Sequence, residues 1–148
     1  MRDKTLMDTT LTLFFTGGVS LKTWAEVGNL DRELELYKRL SKKLKEINVV
    51  SYGGKRDRVY AKKLEKINLL STTWHNNPKL TILHLLLKYS PQIYRSDILK
   101  TNQIPGSEIP IWIKKHFSKK LIVRCGYLHS YVIKNQSEDQ KAFNDAIQ

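Results

Sequence analysis

The amino-acid sequence predicts an α/β domain with a doubly wound parallel sheet of about five strands and helices on both faces. Three observations predict it. Short runs with strand character alternate with longer stretches of helical period. The connections between strands are too long for hairpins, which leaves parallel pairing through right-handed crossovers. Glycine pairs, Gly17-Gly18 and Gly53-Gly54, close the first two strand-like runs, where a chain leaving a sheet needs backbone freedom. At 148 residues the chain is expected to form one domain, 1–148, because a single core ordinarily serves roughly 100–200 residues.

The first strand is predicted at TLTLFFT, residues 10–16, ending at Gly17-Gly18. A helix follows in which Leu36, Leu40 and Leu44 recur every four residues beside Tyr37, opposite Lys38, Arg39, Lys42 and Lys43. INVVSY, 47–52, is rich in β-branched side chains and is cut off by Gly53-Gly54, which makes it the second strand. KRDRVYAKKLEK carries a weaker helical stripe through Tyr60, Leu64 and Ile67, and INLLST, 67–72, reads as the third strand. Pro78 suits the first turn of a helix, whose expected buried face is Leu80, Leu83, His84 and Leu87. IYRSDIL, 93–99, is the expected fourth strand. A helix after Pro105 is expected to bury Ile109, Trp112, Ile113, His116 and Phe117, and LIVRC, 121–125, is the clearest buried strand. Ser137 and Gln140 have capping-box spacing, which predicts a last helix through Ala142, Phe143 and Ala146.

Hydrophobic residues make up 41% and charged residues 27%, a balance that fits a globule and excludes a fibre or an unstructured chain. Twenty-six Lys and Arg against fourteen Asp and Glu leave a formal charge of +12, which favours an anionic partner: nucleic acid, a phosphate-bearing substrate or an acidic membrane surface. Eleven basic and three acidic residues stand between Lys38 and Lys66. Such a run is either a solvated helix face or a patch that holds the domain at an anionic membrane or steers an anionic substrate. Cys125 is the one cysteine, so an intrachain disulfide and a cysteine-rich zinc site are excluded and a reducing, cytoplasmic setting is expected. The start reads as mature protein, since Asp8 and the threonines around it interrupt any signal-peptide core. ILHLLL, 82–87, is the longest apolar run and falls far short of the ~18 residues that a spanning helix needs.

In doubly wound sheets ligands gather beyond the carboxyl ends of the strands, which directs attention to residues 17–20, 53–55, 100–103 and 126–130. The loop GGVSLKTW, 17–24, precedes a helical turn that Gly28 would stop, with Thr23 and Glu26 at capping-box spacing. An anion there would meet backbone N–H groups and a helix start; a plain tight turn is the alternative. Gly17, Gly18 and Ser20 are the expected phosphate-facing groups, with Lys22, Asn102 and Gln103 as further polar lining of one crevice. Neither the dinucleotide G-x-G-x-x-G nor the P-loop pattern occurs, since Arg56 stands where a P-loop after Gly54-Lys55 needs Ser or Thr. No cofactor is implied. His84 and His116 lie on apolar stripes and are expected to be packed, whereas His129, past the clearest strand, is the candidate general acid or base. No histidine pair has metal-ligand spacing and no G-x-S-x-G elbow is present, so neither a metal site nor serine-hydrolase chemistry is expected.

Taken in order, GGVSLKTWAEVGNLDREL, YKRL, NVVSYGGKRD with YAKKL, DILKTNQIPGS and LIVRCGYLHS resemble the amino-terminal domain of one prokaryotic branch of the family-four-like glycosyltransferases, over residues 10–131. The resemblance implies a Rossmann-like domain that is half of a two-domain GT-B architecture. It implies that this half binds a glycan or lipid-linked acceptor and that Gly17-Gly18 faces a nucleotide-sugar diphosphate across an interdomain cleft. In such enzymes the carboxy-terminal half grips the nucleotide sugar with two glutamates eight positions apart; no two glutamates here have that spacing. The expectation is therefore an acceptor half that needs a second domain or partner for turnover, because one wall of a cleft cannot orient two substrates.

Two rivals remain at this level: a basic nucleic-acid-binding module, motivated by Tyr37, Tyr52 and Tyr60 among the basic residues, and a non-catalytic remnant. Random oligonucleotides discriminate the first. Affinity that collapses as ionic strength rises identifies a nucleic-acid module, whereas a glycosyltransferase half is expected to show none.

Overall fold

A computed structural model describes residues 5–75 and 77–125. Its centre is a five-stranded, wholly parallel sheet of β1 (Thr10–Phe14), β2 (Glu46–Ser51), β3 (Ile67–Ser71), β4 (Ile98–Thr101) and β5 (Lys120–Ile122), in the order β3-β2-β1-β4-β5. This is the doubly wound, Rossmann-like α/β arrangement that the alternating periods predict. Strand order reverses beside β1, so the topological switch point lies between the carboxyl ends of β1 and β4. All five β1 residues are buried, as befits a central strand covered on both faces.

Crossover handedness sorts the helices. Helices α1 (Leu21–Glu26) and α2 (Leu30–Leu40) and a 3-10 segment (Gly54–Leu64) lie on the connections β1 to β2 and β2 to β3, whereas α3 (Pro78–Arg95) and α4 (Glu108–Phe117) cover the opposite face. One face of the sheet carries a polar row. Asn48 Nδ2 donates to Thr12 Oγ1 (3.3 Å), Asn68 Nδ2 donates to Asn48 Oδ1 (3.1 Å), and Thr12 Oγ1 shares a 2.5 Å hydrogen bond with Ser96 Oγ at the end of α3. Thr12, Asn48 and Ser96 are fully buried, which is tolerable because each is bonded.

Five elements differ from the sequence expectation. Helix α2 ends at Leu40 and buries Leu30, Leu34 and Tyr37, leaving Leu36 exposed. Asp31 and Glu33 in its first turn and Lys38 and Arg39 in its last complement the helix dipole, and Leu44 lies beyond the helix, so the later leucine stripe has no regular face. Helix α3, started by Asn77 and Pro78, buries Thr81, Ile82, Leu85 and Ile93 while Leu80, Leu83 and Leu87 face outward. Its first half is apolar nearly all round, so period alone cannot select the inner stripe. Thr81 marks it, accepting the His75 N–H on its hydroxyl (3.0 Å).

The expected strand at 93–99 divides in the same way. Residues 93–95 finish α3, which bends where Tyr89 leaves helical geometry ahead of Pro91. Ser96 then closes the helix by bonding back to Gln92 and Ile93 carbonyls, and pairing starts at Ile98. In α4, Ile109 and Ile113 are buried but His116 is exposed, its ring stacked on Trp112 at 3.8 Å. Strand β5 covers 120–122 rather than 121–125. The last helix expected through Ala142, Phe143 and Ala146 lies outside the described residues.

The two stripes of α3 separate experimentally. Leu85→Ala removes a fully buried side chain and is expected to lower the unfolding free energy by about 2–5 kcal/mol. Leu87, 78% exposed, should tolerate alanine within about 0.5 kcal/mol. Urea denaturation of both variants checks the assignment, and the opposite order would restore the leucine stripe as the inner one.

Candidate functional site

The loops at the carboxyl edge of the sheet meet in two different ways. Between β1 and β4 the chain closes on itself: Gly17 N–H donates to the Pro105 carbonyl (3.1 Å), and a Cβ at Gly106 would stand 2.9 Å from Gly17 Cα. The Trp74 indole, from the loop after β3, covers Gly17 so closely that a Cβ there would meet its ring at 2.7 Å. Gly17 therefore packs backbone and indole in tight contact.

Between the loops after β1, β2 and β3 the surface instead opens into a hollow of about 500 Å³. Gly18, Ser20 and Lys22 line one side, Gly53, Gly54, Lys55 and Arg56 the other, with Tyr52 and Thr73 also in its wall. Gly18 (φ +75°) and Gly54 (φ +57°) adopt left-handed conformations that side chains disfavour. Lys55 and Arg56 are exposed, and Lys22 is ion-paired with Glu26, which also lines the hollow. Three cations and one carboxylate, the latter paired with Lys22, thus line the hollow.

Beneath the rim sits Asp57, fully buried. Its Oδ2 accepts from Ser51 Oγ (2.5 Å) and Gly53 N (3.0 Å), and its Oδ1 from Lys22 N (3.2 Å). Ser51 Oγ in turn accepts the Leu21 N–H (3.0 Å), and Ser20, the N-cap of α1, accepts the Thr23 N–H on its hydroxyl (3.0 Å). The cap is Ser20 rather than the expected Thr23, and Gly28 (φ +72°) follows the helix as expected. Asp57, Ser51 and Ser20 together occupy the first three N–H groups of α1, and Trp24 N completes the turn to the Ser20 carbonyl. The helix start that the glycine loop was expected to offer an external anion is engaged by the protein's own side chains.

Tyr52 adds a second feature. Only 5% exposed, its hydroxyl lacks a hydrogen-bond partner, one of two such buried side-chain atoms among the described residues. Burial pushes its phenol upward, and the Glu108 carboxylate adds to that shift. Its ring meets Trp74 edge-on at 4.9 Å.

Of the residues expected from sequence, the structure brings Gly18, Ser20 and Lys22 into this hollow and places Gly17 behind it under Trp74. Asn102 and Gln103 follow β4, apart from the hollow's lining; Asn102 is buried and accepts from Arg124 Nη1 at 3.5 Å. Near them Lys100 Nζ donates to Tyr37 Oη (3.0 Å). Burial holds the Lys100 ammonium below its ordinary pKa and pushes the Tyr37 phenol up to about 12. His129 lies outside the described residues. The basic run from Lys38 to Lys66 does not form one patch: Lys38 pairs with Glu65, Arg39 with Glu35 and Lys63 with Asp31, while Lys55 and Arg56 face the hollow. Asp57, Tyr52 and Trp74 were not expected at the site. The Lys-Arg-Asp triplet after a second glycine pair was the available signal for the first of them.

No protein-family model, curated protein or solved structure matches this chain. Fold and site define a doubly wound α/β domain whose carboxyl edge carries a small cation-rimmed hollow. Among the described residues no group of three or more His, Cys, Asp or Glu is placed to hold a metal ion.

Asp57→Ala should leave the Lys22 and Gly53 N–H groups and the Ser51 hydroxyl without their acceptor, lowering stability by about 3 kcal/mol or more. Chemical denaturation measures it. A change below about 0.5 kcal/mol would show that the loops do not depend on this carboxylate.

Proposed function

We propose that this domain is the acceptor-side half of a sugar-nucleotide-dependent glycosyltransferase, and that its hollow receives the phosphate groups of a ligand. One observation carries the reading. The loops after β1 and β2 bring Lys22, Lys55 and Arg56 around a single pocket at the carboxyl edge of a doubly wound sheet, the edge that ligands of this fold class use, beside a switch point that is itself closed by the contact of Gly17 with Pro105 and Gly106.

In such a transfer the bond between the sugar's anomeric carbon and the diphosphate oxygen breaks, and a new bond forms from that carbon to an acceptor hydroxyl oxygen, whose proton passes to a base. Negative charge develops on the departing diphosphate. Fixed cations such as Lys55 and Arg56 stabilise that charge most when water is excluded. A second wall, from a further domain or a partner, completes the water-poor cleft and holds the other substrate in line. Of the three tyrosines that motivate the nucleic-acid reading, Tyr37 and Tyr52 are buried and only Tyr60 is partly exposed, which leaves that reading less support than the hollow gives the first.

Thermal-shift measurements with a panel of nucleotide sugars and inorganic pyrophosphate test the proposal. Saturation with a phosphate-bearing ligand at a hundred times its Kd should stabilise the fold by about 2.7 kcal/mol. The Lys55→Ala/Arg56→Ala double variant should lose this shift, while its unliganded Tm stays within about 2 °C because both side chains are exposed. A panel without effect, or a shift that survives the double substitution, would overturn the placement.

A further inference from the structure

We propose that the outer surface of α3 and α4 is a docking face for an anionic lipid bilayer. The inference goes beyond the nucleotide-sugar reading and does not depend on it. Leu80, Leu83 and Leu87 follow one another at helical spacing on α3 and are 51%, 53% and 78% exposed. They are not scattered, because Leu83 and Leu86 join Ile82 and Trp112 of α4 in a shallow apolar groove of about 270 Å³ with Lys79 at its rim. Right-handed crossovers place both helices on the same side of the sheet, so the leucines and the exposed Ile111 of α4 share a surface.

The charge on this surface identifies the partner. Helix α3 has no acidic residue and carries Lys79 at the groove's rim and Arg95 at its end, with Lys88 turned to the Ser71 carbonyl (3.0 Å); α4 holds Lys114 and Lys115 against Glu108 at its first position. An apolar stripe bordered by lysines, with acids nearly excluded, is complementary to a bilayer that offers acyl chains beneath anionic headgroups. An acidic protein partner would need an apolar patch of its own in register with the leucines, whereas a bilayer supplies both layers over any area. Among the described residues no helix is long and apolar enough to cross a membrane, so the contact is peripheral. Helix α3 begins at the carboxyl edge of the sheet, a few residues after Thr73 in the wall of the hollow, so a bilayer lying against Lys79 and Leu80 would lie beside that edge.

Co-sedimentation with vesicles of phosphatidylcholine alone, and of phosphatidylcholine with phosphatidylglycerol, tests the face directly. The expected result is binding to the phosphatidylglycerol vesicles that weakens at high salt and falls about tenfold or more in the Leu83→Asp/Leu87→Asp variant and in Lys114→Glu/Lys115→Glu. Leu36→Asp, at an exposed site on α2, should bind as the parent does. Circular dichroism establishes that each variant is folded. No binding to anionic vesicles, or binding lost instead in Lys42→Glu/Lys43→Glu on the other side of the domain, would overturn the proposal. So would sedimentation equilibrium showing a dimer that Leu83→Asp/Leu87→Asp dissociates, since the face would then belong to a second copy. Nucleotide-sugar thermal shifts on the same variants keep the outcome separate from that of the hollow.

Discussion

The buried carboxylate of Asp57 is the constraint on which the site depends. Fully enclosed, it is stabilised by two backbone N–H groups and a hydroxyl drawn from three places: the start of α1, the end of β2 and the glycine loop that follows. Hydrogen bonds to an ionised acceptor are roughly twice as strong as neutral ones, so each fixes its loop firmly. Gly53 follows from this arrangement, because a Cβ at that position would collide with the Asp57 carboxylate.

Much of the fold was legible because strand and helix periods differ and alternate. The central strand, the two glycine-closed turns and the parallel order all follow from residues 10–72 read locally. The inner faces of α2 and α3 were not, since each helix carries two competing apolar stripes. What decides between them is contact with the sheet and a hydrogen bond from His75 to Thr81, neither of which has a period. The site divides likewise. Gly18, Ser20 and Lys22 were accessible from their place after the first strand. Asp57 was hidden in a run of lysines and arginines, where an acid reads as a surface residue. Trp74 was hidden because it meets Gly17 from a loop more than fifty positions away along the chain.

Charge tells a similar story about distance. The basic run that dominates the sequence between Lys38 and Lys66 is partly consumed by ion pairs with Asp31, Glu35 and Glu65, each with at least one exposed partner and therefore of small energetic worth. The apolar and basic character of α3 and α4 is less conspicuous in the sequence, yet it is gathered on one side. Density along the chain and density in space are separate quantities, and a partner meets only the second.

The row of Thr12, Asn48, Asn68 and Ser96 acts as an alignment gauge for the sheet. Leucines and valines on neighbouring strands attract one another in many offsets, but an amide and a hydroxyl are matched only when Thr12 stands opposite Asn48 and Asn48 opposite Asn68. A slip of one residue would turn these groups into the oily side and strand them there. Directional bonds thus reject misaligned pairings that oil alone would accept, and the assembled strands keep a single frame from which every loop at their ends is launched.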